Sequence, residues 1–307
     1  MAQTTQIPPL MPPVNNLRPI GLMVVAMAFF NAADSFVKLA SQVMPVAQVL
    51  VIAGFSGMLV FGMLSLSRGE ALITRTLFRP AVMARNLAEL AGSIAMFTAL
   101  AKVDLSTVAA ILQATPLAVT LGAAVLLGEP VGWRRWAATI VGFMGVLLIV
   151  RPGAAGFHAD MLWPLAAMAA LALRDLLTRM VPPAMPMGQL ASYGMASLML
   201  AGLGLLGVTD QTPVAIAPGT GLILAAMVAT MALGYSAIIG AMRMGEVAAV
   251  APFRYARILF ALATGMLVFG ERPDLATLIG AAITVAAGLY IFLREAALAR
   301  KARHQAR

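Results

Sequence analysis

The sequence predicts an all-α membrane protein with ten transmembrane helices in two inverted five-helix repeats. Three observations lead there. Of 307 residues, 61% are hydrophobic and only 11% are charged, whereas a soluble domain averages about 45–50% apolar and about 25% charged. The apolar residues fall into stretches of bilayer-spanning length, and the second half of the chain echoes the first. One soluble core of this length cannot hide so much apolar side chain, because a surface needs polar cover. An ordinary cytosolic enzyme, a disordered chain and a fibrous repeat are thereby excluded.

The first residues, MAQTTQIPPLMPPVNN, are polar and proline-rich. They lack the basic n-region and small-residue cleavage site of a secretory signal, so 1–16 is expected to be a disordered cytoplasmic tail. A helix crosses the hydrocarbon with about 20 apolar residues. Segments of that kind are 18–39, 46–66, 82–101, 105–127, 133–150, 161–180, 188–208, 218–240, 247–269 and 274–293. Turn and breaker residues separate most of them: Pro45, Ser67–Gly69, Gly128–Pro130, Arg151–Gly153, Pro182–Pro186, Asp210–Pro213 and Gly270–Pro273. Only Lys102–Asp104 and Arg243–Glu246 interrupt the third and eighth boundaries.

The net charge of +9, from 21 basic and 12 acidic residues, then sorts by side. Arg18 precedes the first span; Arg68, Arg75, Arg79 and Arg85 follow the second; Arg134 and Arg135 follow the fourth; Arg243 follows the eighth. Arg294, Arg300, Lys301, Arg303 and Arg307 lie at or beyond the end of the tenth. The opposite loops hold Lys102, Arg151 and Arg272 beside Asp104, Asp160, Asp210, Glu271 and Asp274. The positive-inside rule therefore predicts a multi-pass membrane protein with both termini cytoplasmic. The positive balance records orientation, and no nucleic-acid partner is expected.

Residues 92–129 slide over 234–271 at an offset of 142 without gaps, matching Gly92 to Gly234, Asp104 to Glu246 and Gly128-Glu129 to Gly270-Glu271. At an offset of 141, Asp34 and Lys38 meet Asp175 and Arg179. Spans one to five (17–151) and six to ten (161–294) thus read as two copies of one unit, followed by a basic cytoplasmic tail, 295–307. Five spans per copy is an odd number, so the copies lie in opposite directions. Inverted repeats of this kind characterise secondary transporters, which bind substrate near the midplane where the halves meet.

The stretches AAILQATPLAVTLGAAVLLGEP and APFRYARILFALATGMLVFGERPDLATLIGAA carry a resemblance. In them the chain resembles the drug/metabolite transporter superfamily, EamA type, over about residues 17–294. The resemblance implies a ten-helix bundle in a bacterial inner membrane, alternating access and transport of a small organic solute. The second copy departs from the commoner pattern, with Ile258 where the first has Pro116 and with Arg254 and Arg257 inside the span. The segment APFRYAR is similar to a proteobacterial branch that includes riboflavin transporters.

A charge deep in hydrocarbon costs several kcal/mol and so faces a protein interior or a wet cavity. The embedded charges are Asp34, Lys38, Glu89, Arg174, Asp175, Arg179, Arg254 and Arg257. Depth counted at about 1.5 Å per residue puts Arg257 near the midplane and Arg254 one turn nearer the cytoplasm. Glu89, Asp175 and Arg254 share a layer if their helices face one another. Asp34 with Lys38, Asp175 with Arg179, and Arg85 with Glu89 stand four apart, the spacing of local helical ion pairs. Arg257 has no acid at that spacing, which makes it the leading substrate-binding or gating candidate. Arg254, Asp175, Asp34, Glu89, Tyr255, Gln113, Tyr235 and Asn31 complete the set. The two arginines would offer donors to carboxylate, phosphate or carbonyl oxygens. The acids would balance them or carry a coupling proton. Pro116, in mid-span, is expected to kink the fourth span, and Glu129 and Glu271 to hydrogen-bond neighbouring loop backbone.

There is no cysteine, only two histidines, His158 and His304, and no G-x-x-x-x-G-K-[ST] loop. No catalytic residue, metal site or cofactor is expected. The expected partners are a small-molecule substrate and the lipid bilayer, with the chain a monomer or a homodimer. The function expected is secondary transport or facilitated passage of a small organic metabolite, with riboflavin uptake as the substrate guess. An amino-acid or metabolite exporter is the alternative, and an intramembrane enzyme or receptor-like scaffold is the alternative of another class.

Overall fold

In the computed structural model the chain is described over residues 17–152, 158–182, 184–244 and 247–305. The expected tail 1–16, the breaker Gly153 and the repeat match at Glu246 lie outside the described residues. Twelve α-helices follow in chain order, with no strand among the described residues. The first half holds α1 (Leu17–Ser41), α2 (Val46–Ser67), α3 (Pro80–Lys102), α4 (Leu105–Leu112), α5 (Thr115–Leu126) and α6 (Trp133–Val150). The second half holds α7 (Leu162–Thr178), α8 (Met187–Val208), α9 (Pro218–Met244), α10 (Val247–Val250), α11 (Ala256–Val268) and α12 (Leu275–Gln305). Nine spans among the described residues are long and apolar enough to cross a membrane, with α4–α5 counted as one. The remaining long helix, α3, has 23 residues, and Arg85, Asn86, Glu89 and Lys102 lower its hydropathy. The protein is a multi-pass helical membrane protein.

Proline sets several helix starts, where its missing N–H costs nothing: Pro80 opens α3, and Pro45 and Pro186 precede α2 and α8. Pro116 does more than kink its span. The fourth span breaks into α4 and α5 at Gln113–Ala114. Proline cannot donate to the carbonyl four residues back, that of Leu112, and the Thr115 hydroxyl donates to it instead at 2.6 Å. The ninth span is broken in the corresponding place, where a 3-10 turn (Ala251–Tyr255) joins α10 to α11. The Gln113 side chain donates to the Tyr255 carbonyl across these two breaks, at 3.1 Å.

Packing runs between the halves. The main helix pairs are α2 with α8, α1 with α9, α3 with α7 and α6 with α12, and α4 crosses α11. Under the sequence repeat, α1 corresponds to α7 and α3 to α9. The α1–α9 and α3–α7 contacts are therefore one contact made twice, as a twofold relation between the halves generates. The break at the end of each fourth-type span is also duplicated. Gly128 and Gly270 take positive φ, +66° and +65°, and let the chain turn so that the Glu129 N–H donates to Ala123 (3.1 Å) and the Glu271 N–H to Gly265 (2.9 Å).

The α6–α12 pair is a tight seam. A Cβ at Gly280 would lie 2.5 Å from the Gly145 carbonyl oxygen, and one at Gly145 would lie 2.6 Å from that of Gly280. The Thr284 hydroxyl donates to the Gly142 carbonyl at 3.2 Å across the same seam. Backbone cannot yield as a rotamer can, so Gly280→Val is expected to lower stability by about 1–3 kcal/mol, read as a fall in Tm of the detergent-solubilised protein. A neutral outcome would contradict the close approach.

Helix α12 continues to Gln305 where a tail was expected from 295 onward. The added residues, EAALARKARHQ, are good helix formers, and Glu295 pairs with Arg135 at 2.8 Å to tie the extension to α6. At its other end Asp274 accepts from the Thr277 N–H at 2.8 Å and pairs with Arg151. The Arg151 hydrogen bond, and then the Thr277 N–H, hold the Asp274 carboxyl down at about 2. A depressed carboxyl stabilises the fold above its unfolded value, near 4, and loses that contribution as pH falls toward 2. The Tm difference between the wild type and Asp274→Asn is therefore expected to be full above about pH 4 and to shrink below it.

Candidate functional site

Four helices bring the embedded charges together. Arg85 and Glu89, one turn apart on α3, pair at 2.6 Å, the local pairing expected from their spacing. Arg174 of α7 reaches Glu89 at 3.2 Å and also holds its neighbour Asp175 at 2.7 Å. Arg174 is thus the hub that joins α3 to α7. Sequence reading noted Arg174 among the embedded charges but left it out of the candidate set; its place directly before Asp175 inside a span was the available signal. On the other side Arg257 of α11 pairs with Asp34 of α1.

Two of the three expected local pairs do not form. Asp34 turns to Arg257 rather than Lys38, and Asp175 turns to Arg174 rather than Arg179. The freed cations pair across the bundle: Lys38 with Glu271 at 3.3 Å and Arg179 with Glu129 at 3.0 Å. For Asp34 and Lys38 the partners on other helices win because burial strengthens them beyond a solvated pair on one helix, whereas Asp175 is held by its chain neighbour and Arg179–Glu129 lies at the surface.

The remaining candidates divide. Tyr235 of α9 stands edge-on to Phe30 and Phe61, at 5.3 and 4.9 Å between ring centres, and lies within electrostatic reach of Glu89, Arg174 and Arg85. Arg254, in the 3-10 turn before α11, lies within reach of Asp175, Arg257 and Arg174. Asn31 donates to Thr264 at 2.8 Å, while its buried carbonyl oxygen has no partner among the described residues. Gln113 is held to the Tyr255 carbonyl. The Tyr255 hydroxyl sits against Gly288 of α12, where a Cβ would overlap it. The Tyr255 hydroxyl is thereby packed against a neighbouring helix, while the residue stays within electrostatic reach of Arg254.

The two repeat-related carboxylates are used differently. Glu271 accepts from the N–H groups of Leu105 and Ser106, at 2.6 and 3.0 Å, and from the Ser106 hydroxyl at 2.7 Å. It is the cap of α4, supplied from 166 residues away; Asp104, at the capping position, makes no such bond. A carboxylate there satisfies orphan N–H groups and complements the helix dipole. Burial, with Glu271 beside it, raises the Asp104 carboxyl above its ordinary range. The Lys38–Glu271 pair is 12% and 3% exposed, whereas Arg179–Glu129 is 50% and 40% exposed. The two repeat-related pairs thus differ in burial, one enclosed within the bundle and the other at its surface.

Residues 17–151 match the EamA-like transporter family. An S-adenosylmethionine uptake transporter of Rickettsia bellii is 27% identical over 59% of this chain and 61% of its own length. A riboflavin transporter of Vibrio cholerae is 30% identical over 64% of this chain and 65% of its own. These matches span about three fifths to two thirds of the relatives' length. The pseudopaline exporter CntI of Pseudomonas aeruginosa is 26% identical over 91% of this chain and 95% of its own. A solved crystal structure superimposes with a TM-score of 0.55 at 20% identity, covering 87% of this chain and 95% of that one. The two share a fold.

The unequal carboxylates give a direct test. Glu271→Ala is expected to destabilise the detergent-solubilised protein by about 3 kcal/mol, because it strands Lys38 and two N–H groups in a buried place. Glu129→Ala, at an exposed pair, is expected to cost less than about 1 kcal/mol. Equal losses in denaturation midpoint would contradict the asymmetry.

Proposed function

We propose that the chain is an inner-membrane secondary transporter or facilitator that moves a small organic metabolite by alternating access. Its two inverted repeats, 17–151 and 161–294, would enclose a central site lined by Glu89, Arg174, Asp175, Arg254, Asp34, Arg257 and Tyr235, with the termini at the cytoplasm. One observation carries the reading: charged side chains converge from helices of both halves inside the bundle, where hydrocarbon would exclude them. A scaffold has no use for so costly an arrangement, whereas a solute path between inverted halves needs a polar midpoint. The match of residues 17–151 to the EamA-like transporter family supports it.

Riboflavin uptake is the substrate guess from the APFRYAR segment, supported by the similarity to riboflavin transporters of Vibrio cholerae and Rhizobium johnstonii. Metabolite export is the second reading, favoured by the similarity to the pseudopaline exporter over 91% of this chain. Flux of radiolabelled candidate solutes into and out of proteoliposomes tests both. Arg257→Ala is expected to lower kcat/KM at least tenfold at equal expression, because it strands Asp34 and opens the α1–α11 contact. Unchanged kinetics would remove Arg257 from the site, and no accumulation or exchange by folded protein would end the transporter reading.

A further inference from the structure

The charge cluster holds four guanidinium groups, Arg85, Arg174, Arg254 and Arg257, against three carboxylates, Asp34, Glu89 and Asp175. Every carboxylate is already engaged. Asp34 holds Arg257, Glu89 holds both Arg85 and Arg174, and Asp175 holds Arg174. Arg254 alone of the four makes no ion pair or hydrogen bond with a described residue. Its side chain is exposed, although its electrostatic neighbours are Asp175, Arg257 and Arg174 at the heart of the bundle. An exposed guanidinium beside these central charges keeps its donors open to a ligand. None of them is taken up by a carboxylate of the cluster, so an arriving anion displaces no existing ion pair. The planar fork of the guanidinium matches the two oxygens of a carboxylate or phosphate.

We propose that Arg254 is the substrate anchor and that the transported solute carries an acid group, a carboxylate or a phosphate, which this guanidinium binds. The inference rests on the transporter reading above and deepens it. It changes the ranking made from sequence, in which Arg257 led: Arg257 is satisfied by Asp34 before any solute arrives. It also ranks solutes with an acid group above a neutral flavin. The neighbouring Asp175, 43% exposed, stands where it would face a cationic part of the same solute, so a zwitterion fits the cluster better than a simple anion.

Phenylglyoxal labelling of the reconstituted protein, read by mass spectrometry, tests the premise. Arg254 is expected to be modified at least tenfold faster than Arg257 or Arg174. Two matched pairs of probes then test the chemistry: S-adenosylmethionine against its decarboxylated form, for a carboxylate, and riboflavin 5′-phosphate against riboflavin, for a phosphate. In one pair at least, the acid-bearing member should slow labelling of Arg254 while its counterpart at the same concentration does not. For that pair the flux ratio of acid-bearing to acid-free member, at least tenfold in the wild type, should fall toward unity in Arg254→Gln and recover in part in Arg254→Lys. Circular dichroism melts of both variants establish folding, and the labelling result stands without them. Labelling of Arg254 no faster than of Arg257, protection that is equal within both pairs, or no protection at all would overturn the proposal. Protection without flux would overturn the transporter reading and leave the anion site standing.

Discussion

The cost of holding a charge in hydrocarbon governs this structure. Each embedded guanidinium must find an acid or reach water, and two of the solutions join segments distant in sequence. Arg174 joins α7 to α3, and Arg257 joins α11 to α1. Both links run from one half of the chain to the other. Neutralisation therefore fixes which faces of the two halves meet, while apolar packing, as indifferent to lipid as to protein, supplies close fit more than choice of partner.

The same economy explains why both centrally crossing spans are broken. An unbroken helix satisfies all of its own backbone groups and offers nothing to a solute. The Leu112 carbonyl freed by Pro116 is taken by Thr115, and the exposed turn at Tyr255 is taken by Gln113. The breaks thus add polar backbone at depth without leaving those groups orphaned. The turn between α10 and α11 also places Arg254 and Arg257 differently, although three residues separate them: one pairs with α1, the other does not pair.

Composition and periodicity made the helices legible, because a bilayer demands long apolar runs and leaves little ambiguity about them. The repeat was legible through charges and glycines, such as Gly128-Glu129 and Gly270-Glu271, which an apolar chain does not match by accident. Partner choice was not legible. Asp34 stands four residues from Lys38 in a helix, and local spacing names that pair; the structure joins Asp34 to a residue 223 positions away. Arg174 was passed over for a similar reason, since a residue beside Asp175 reads as its counterion and not as a bridge to Glu89. Tyr255 read as an aromatic for a solute, and only the bare backbone at Gly288 gives its hydroxyl another place. Sequence spacing reports what one helix can do alone, and these contacts are decided between helices.

The glycine seam between α6 and α12 has a mechanical consequence. Two helices that meet backbone to backbone at Gly145 and Gly280, pinned by the Thr284–Gly142 hydrogen bond, leave little room for a rotamer change to absorb sliding. Shear of the kind that lets packed helices creep past one another is disfavoured there. Any rearrangement of the bundle is therefore expected to carry α6 and α12 together as one rigid pair.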